Sequence, residues 1–99
     1  MAVTFNRIFI RPSIDVEFPE DPPEFTQHVL DLYVATNLCT EHRTATYSSD
    51  NLVKTTKSVW VDRETVDIAA SDPIWATNMG YTTEYCTLHE IVPIAWYDY

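Results

Sequence analysis

The hydrophobic period along this chain changes in a definite order. A period of two gives way to a helical period, then two more strand-like runs, a second helical stretch and a last strand. Over residues 4–18, Ile8, Ile10, Ile14, Val16 and Phe18 occupy even positions, while Arg7, Arg11, Ser13, Asp15 and Glu17 fill most odd ones. That alternation predicts a half-buried strand, with a bulge or edge at Pro12 and with Phe9 as an aromatic on the otherwise polar face. Asp21, Pro22 and Glu24 read as an N-cap, a first helical residue and a capping-box partner. Phe25, Val29, Leu32 and Thr36 then recur at helical spacing until Asn37, which tolerates the left-handed conformation that ends a helix. Residues 40–47 and 52–61, rich in Thr, Val, Tyr and Trp, predict a hairpin around Ser48-Ser49-Asp50-Asn51.

Asp62 is placed to cap a second helix with Val66, Ala69, Ala70 and Ile74 as its apolar stripe. Asp72-Pro73 interrupts that stripe, which predicts a kink or a restart capped by Ser71 or Asp72. Gly80, the only glycine, suits a helix C-terminus. Residues 82–92 then read as the last strand, followed by an aromatic tail over 92–99. With right-handed crossovers and short connections this β-α-β-β-α-β order, one domain over residues 1–99, resembles the ferredoxin-like fold. The resemblance implies an α+β architecture: a four-stranded antiparallel sheet, strand order 4-1-3-2, with two helices on one face. The segment from Asp62 to Tyr85 is similar to the second half of dimeric α/β-barrel proteins, which implies that the uncovered sheet face meets a second copy. Phe9, Trp60, Ile94, Trp96, Tyr97 and Tyr99 are the candidate partner-binding residues on that face and tail.

Charge narrows the partners. Six basic residues against fifteen acidic ones leave −9 on 99 residues. Between Pro12 and His42, and again from Glu64 to Tyr99, there is no Lys or Arg. Such a surface repels a phosphate backbone, so direct nucleic-acid binding is not expected; a basic protein surface is the better electrostatic match. No apolar run reaches the roughly 18 residues of a membrane span, and the first residues lack a charged then apolar leader. No membrane association and a cytoplasmic location are expected, the host cytoplasm if the protein is viral. The two cysteines then read as free thiols.

Candidate chemistry is sparse. Cys39-Thr40-Glu41-His42 and Cys86-Thr87-Leu88-His89 are each Cys-x-x-His, together the sulfurs and nitrogens that zinc accepts. In extended strands, residues three apart point to opposite faces, so Cys39, His42, Cys86 and His89 have the ligand types of a metal site but not its geometry, and none is assigned. For acid–base catalysis the candidates are His42 and His89 on the sheet. His28 with Asp31 or Glu24 is expected to be a solvent-facing helix pair. A single glycine leaves no phosphate-cradling loop, and no cofactor is expected. Together these features suggest a small acidic non-enzymatic protein, such as a viral or phage accessory protein, that self-associates as a homodimer or higher oligomer or binds a protein partner. The alternatives are a cofactor-free dimeric isomerase or monooxygenase using His42 or His89, and an inhibitor that mimics nucleic acid.

Overall fold

The computed structural model describes residues 1–99. Strands β1 (Val3–Ile10), β2 (Cys39–Tyr47), β3 (Val53–Trp60) and β4 (Val92–Asp98) form one antiparallel sheet in the order β2-β3-β1-β4, as the element order predicts. Three helices rather than two accompany it. Helix α1 (Pro23–Val29) continues into a π-helical turn, Leu30–Val34, and α2 (Arg63–Ala70) is followed by α3 (Pro73–Leu88). The fold is ferredoxin-like α+β.

The first strand is shorter than its alternation implies, and its faces are reversed. It stops at Ile10 because β1 is central in the sheet, and Pro12 has no N–H to continue the ladder. Val3, Arg7 and Phe9 at odd positions are buried, and at even positions only Asn6 is, whereas Ile8 is half-buried and Ile10 exposed. The pairing partners of Val3, Phe5, Arg7 and Phe9 are Trp60, Ser58, Thr56 and Lys54, so these eight side chains share the helix-covered face. Phe9 packs with Cys86 and Ile91, and Trp60 is 1% exposed. Neither lies on the uncovered face where the pattern placed Phe9 and one register placed Trp60.

The larger correction is at the C-terminal end. Residues 82–92 are rich in Thr, Tyr and Cys and read locally as a strand, but α3 runs through them to Leu88. Trp75, Asn78, Thr82 and Cys86 recur at three- and four-residue spacing and form the buried stripe. Thr82, Thr83 and Thr87 donate their hydroxyls to the carbonyls of Asn78, Met79 and Thr83, which satisfies these groups inside the helix. Gly80 therefore lies mid-helix on an open surface. The tail is itself the fourth strand: Val92–Asp98 pairs with β1, and Pro93 is tolerated because β4 is an edge.

The main core is aromatic. Trp60 meets Tyr33 and Trp75 edge-on at centroid distances of 5.5 and 5.6 Å, and Phe25 meets Trp75 at 5.2 Å. Val3, Val29, Cys39, Val66 and Ala69 complete the cluster. Asp62 and Asp72 cap α2 and α3 through the N–H groups of Thr65 and Ile74. Helix α1 has no side-chain cap: Pro22 is its boundary residue, and the Asp21 carboxylate is engaged elsewhere.

Candidate active site

The site begins with an irregularity in β2. Cys39 pairs with Trp60, Glu41 with Val59 and Thr44 with Lys57, so His42 and Arg43 together oppose the single residue Ser58. Arg43 takes a left-handed backbone (φ 50°), and its N–H donates to Ser58 Oγ at 2.9 Å. In a regular strand these neighbours would face opposite sides; here both line one cavity on the helix side of the sheet. That cavity, about 340 Å³, lies between Phe9, Lys54 and Thr56 of the sheet, Thr26 and Thr82 of the helices, and the Pro19-Glu20-Asp21 segment.

Asp21 ties the site to both layers. Its Oδ2 accepts from Arg43 Nη1 at 2.5 Å, and its Oδ1 accepts from Asn78 Nδ2 at 2.9 Å. The Arg43 guanidinium lies over Phe25 and Trp75, 5.2 and 5.6 Å from their ring centres, and its side chain is 16% exposed. Burial lowers its pKa, with Asp21 acting in the opposite sense. Nη2 of Arg43 and Nδ1 of His42 are buried without a hydrogen-bond partner. Burial, helped by the neighbouring charge of Arg43, pushes the His42 imidazole down to about 4, so the ring is neutral near pH 7. Arg7 is buried beside this region, over the Phe9 ring at 4.7 Å and 3.6 Å from Met79 Sδ. Its pKa is lowered to about 10, chiefly by burial, and it stays charged at neutral pH. Two positions along β1 from Arg7, Phe5 lines a second cavity of about 340 Å³, walled by apolar side chains including Trp60, Trp75, Met79 and Tyr97.

The lowered His42 pKa has a measurable consequence. Its ordinary value is 6.5, so between about pH 4 and 6.5 the unfolded chain holds more protons than the folded one. The cost of keeping the buried ring neutral is therefore felt only in acid: stability is highest above pH 6.5 and falls as pH drops towards 4. The full difference is at most about 3 kcal/mol, reduced by solvent screening because the ring is only partly buried. Urea unfolding across this range should show the loss in the native sequence and a much flatter profile in His42→Gln; equal slopes would refute it. Asp72, held below the usual carboxylate range mainly by its hydrogen bond from His28, acts in a more acidic window.

The other sequence candidates lie apart from the cavity. His89 is the boundary residue of α3, not a sheet residue, and stacks on Tyr85 at 4.3 Å. His28 pairs with Asp72 at 2.5 Å rather than with Asp31 or Glu24, and Tyr33 donates to the same carboxylate, which ties α1 to the start of α3. Cys39 and Cys86 are buried free thiols in different clusters, and burial raises both, Cys39 to about 11. The two Cys-x-x-His segments do not converge, and no group of three or more His, Cys, Asp or Glu side chains is arranged for a metal. Tyr97 packs on Phe5 at 4.9 Å, and the exposed Tyr99 accepts at its hydroxyl from Arg63. Ile94 and Trp96 lie on the uncovered sheet face, opposite Ile8 and Asn6. Asp21 and Arg43 escaped notice in the sequence. Asp21 reads locally as a helix cap, and nothing in Glu41-His42-Arg43-Thr44 signals a bulge.

No protein-family model and no curated protein sequence matches the chain. In shape it is similar to SnoaB, a cofactor-independent oxygenase from Streptomyces nogalater, with a TM-score of 0.68 and 14% identity, covering 99% of this chain and 91% of that one. It is also similar to a Bacteroides thetaiotaomicron protein of unknown function described as a possible oxidoreductase (TM-score 0.66, 12% identity, 98% and 95% covered). A provisional antibiotic biosynthesis monooxygenase from Caulobacter crescentus gives a TM-score of 0.58 at 14% identity, with 98% and 87% covered. These likenesses establish the fold. They also correct the expectation of a non-enzymatic binding or viral accessory protein, because the described chemistry among these neighbours is that of oxygenases and oxidoreductases. No helix is long and apolar enough to cross a membrane.

Proposed function

We propose that the protein is a small oxygenase that works without a bound cofactor, with His42 as proton acceptor and with the positive charge of the neighbouring Arg43, rather than a hydrogen bond from it, favouring the anion formed. The observation that carries this reading is the unpartnered buried Nδ1 of His42, held by one bulge beside the Arg43 guanidinium at a cavity. Likeness to a cofactor-independent oxygenase supports it. Dioxygen reacts slowly with neutral closed-shell organic molecules, and a phenolate or enolate surrenders an electron far more readily than its conjugate acid. A site that removes one proton and holds the resulting charge therefore supplies what such a reaction needs. With an activated methylene, one substrate molecule and one dioxygen give one ketone and one water. The carbon loses both hydrogens and gains a doubly bonded oxygen atom. The second oxygen atom leaves with those two hydrogens as water, and no external reductant is consumed.

The test is oxygen uptake by the purified protein, with chelator present, over a panel of acidic phenols and activated methylenes under isotopically labelled dioxygen. One label should enter the product carbonyl. A product whose new oxygen derives from water would remove the proposal.

The same reading includes a homodimer. Ile10, Val92, Ile94 and Trp96 are 38, 52, 45 and 38% exposed on the sheet face that carries no helices. A contiguous apolar patch on a small protein is suited to a second copy of itself. Ile94→Glu combined with Trp96→Glu should shift the sedimentation mass from dimer to monomer, with the helix-side core unaffected; an unchanged mass would place the contact elsewhere. The two buried thiols support a reducing, cytoplasmic setting.

A further inference from the structure

The cavity carries a charge that its own residues leave incompletely neutralised. Asp21 is the only ion-pair partner of Arg43, and its two oxygens are already taken by Arg43 Nη1 and Asn78 Nδ2. Nothing remains for Nη2, and a buried guanidinium N–H without an acceptor is a costly arrangement that a bound anion would relieve. Lys54, on β3 directly opposite Phe9 of β1, lines the same cavity and forms no ion pair. With Arg7 beside Phe9, three of the six cations of a −9 chain gather around this one space, against Asp21 and Glu20.

From this we infer that the Arg43–Lys54 end of the cavity is an oxyanion subsite, and that the ligand carries a carboxylate in addition to its reacting group. The inference rests on the cavity being the active site and names one feature of its substrate. The guanidinium is held in place by Asp21 on one edge and by Phe25 and Trp75 beneath it, so its free edge offers donors in a fixed plane. That planar geometry matches a carboxylate. A phosphate dianion meets the added repulsion of Asp21 and Glu20, and a polyanion meets the acidic exterior. A volume near 340 Å³ lies at the small end of ligand sites, which limits the molecule to about the size of a bicyclic acid.

The test compares ligands of one ring system that differ in the charge and geometry of the polar group. Isothermal titration of the full chain with 1-naphthoate and 1-naphthamide should give at least about ten-fold tighter binding of the anion, with 1-naphthyl phosphate weaker than the carboxylate. Lys54→Gln and Arg43→Gln should each reduce the preference, Arg43→Gln towards parity. Lys54→Gln carries the test if Arg43→Gln, by stranding Asp21, does not fold. Equal affinity for acid and amide, no naphthoate binding at millimolar concentration, or a preference unchanged in a folded variant would overturn the subsite. The oxygen-uptake panel separates the two claims. Carboxylate selectivity without oxygen chemistry removes the oxygenase and leaves the subsite. Oxygen uptake indifferent to a carboxylate on the substrate removes the subsite and leaves the oxygenase.

Discussion

Trp60→Ala is expected to lower the unfolding free energy by about 3–5 kcal/mol, which for a domain of this size leaves a large unfolded fraction at room temperature. Trp60 is 1% exposed at the centre of the main core, with Tyr33 and Trp75 edge-on to it and Val3 and Cys39 as its strand partners on either side. It also walls the apolar cavity beside Phe5 and Met79, so truncation enlarges a space that the structure already leaves open. A site with an existing void has little to collapse onto it, which puts the cost towards the upper end of the range. Trp60→Phe retains an edge-on aromatic contact and should lose roughly half as much or less. Urea denaturation with unchanged m-value and a lowered midpoint is the measurement. A loss below about 1 kcal/mol would show that Trp60 is not a core residue.

The second large effect concerns turnover. His42→Gln should slow oxygen consumption by about 10²- to 10⁴-fold with bound substrate, the usual range for loss of a positioned proton acceptor. Glutamine preserves the size and a hydrogen-bonding end but cannot take the proton. A ring lowered to about 4 is a weak base in isolation. Proton transfer to it becomes favourable when the substrate's new negative charge is left beside the imidazolium and Arg43. The acid limb of kcat/KM in the native protein should therefore fall near pH 4 and be absent in the variant. Asp21→Asn acts differently, because Asp21 positions Arg43 instead of touching the reacting proton. It should weaken catalysis while leaving that acid limb in place. Turnover in His42→Gln within a factor of three or so of native would take the acceptor role from His42.

Much of the fold was legible before any coordinates. The caps at Asp62 and Asp72, the positive φ at Asn37, the hairpin across Ser48–Asn51 and the strand order all follow from local chemistry and from the rules for connecting a β-α-β-β-α-β chain. Two elements resisted for the same reason. Thr82 to Leu88 has strand-forming composition, and Ile8 to Phe18 has strand-like alternation, but composition and alternation describe a segment without its neighbours. In the folded chain, Trp75, Asn78, Thr82 and Cys86 bury one helical stripe over the sheet, and that burial outweighs the local preference of threonine and tyrosine. In β1 the helices cover the face that carries Arg7 and Phe9, so the apolar Ile8 and Ile10 are left to the open side.

The candidate site was legible only as single residues. His42 stood out as a titratable group on a strand; its companions did not, because Asp21, Arg43, Lys54 and Asn78 are dispersed over more than half the chain. Sequence alone determined the element order, most caps, the acidic balance and the absence of phosphate-binding loops, since each depends on residue type and short-range spacing. Tertiary structure decided which sheet face is covered, that residues 82–88 are helical, and that His42 and Arg43 face one cavity. Those outcomes depend on long-range burial and on a bulge opposite Ser58, and neither leaves a mark in the local order of residues.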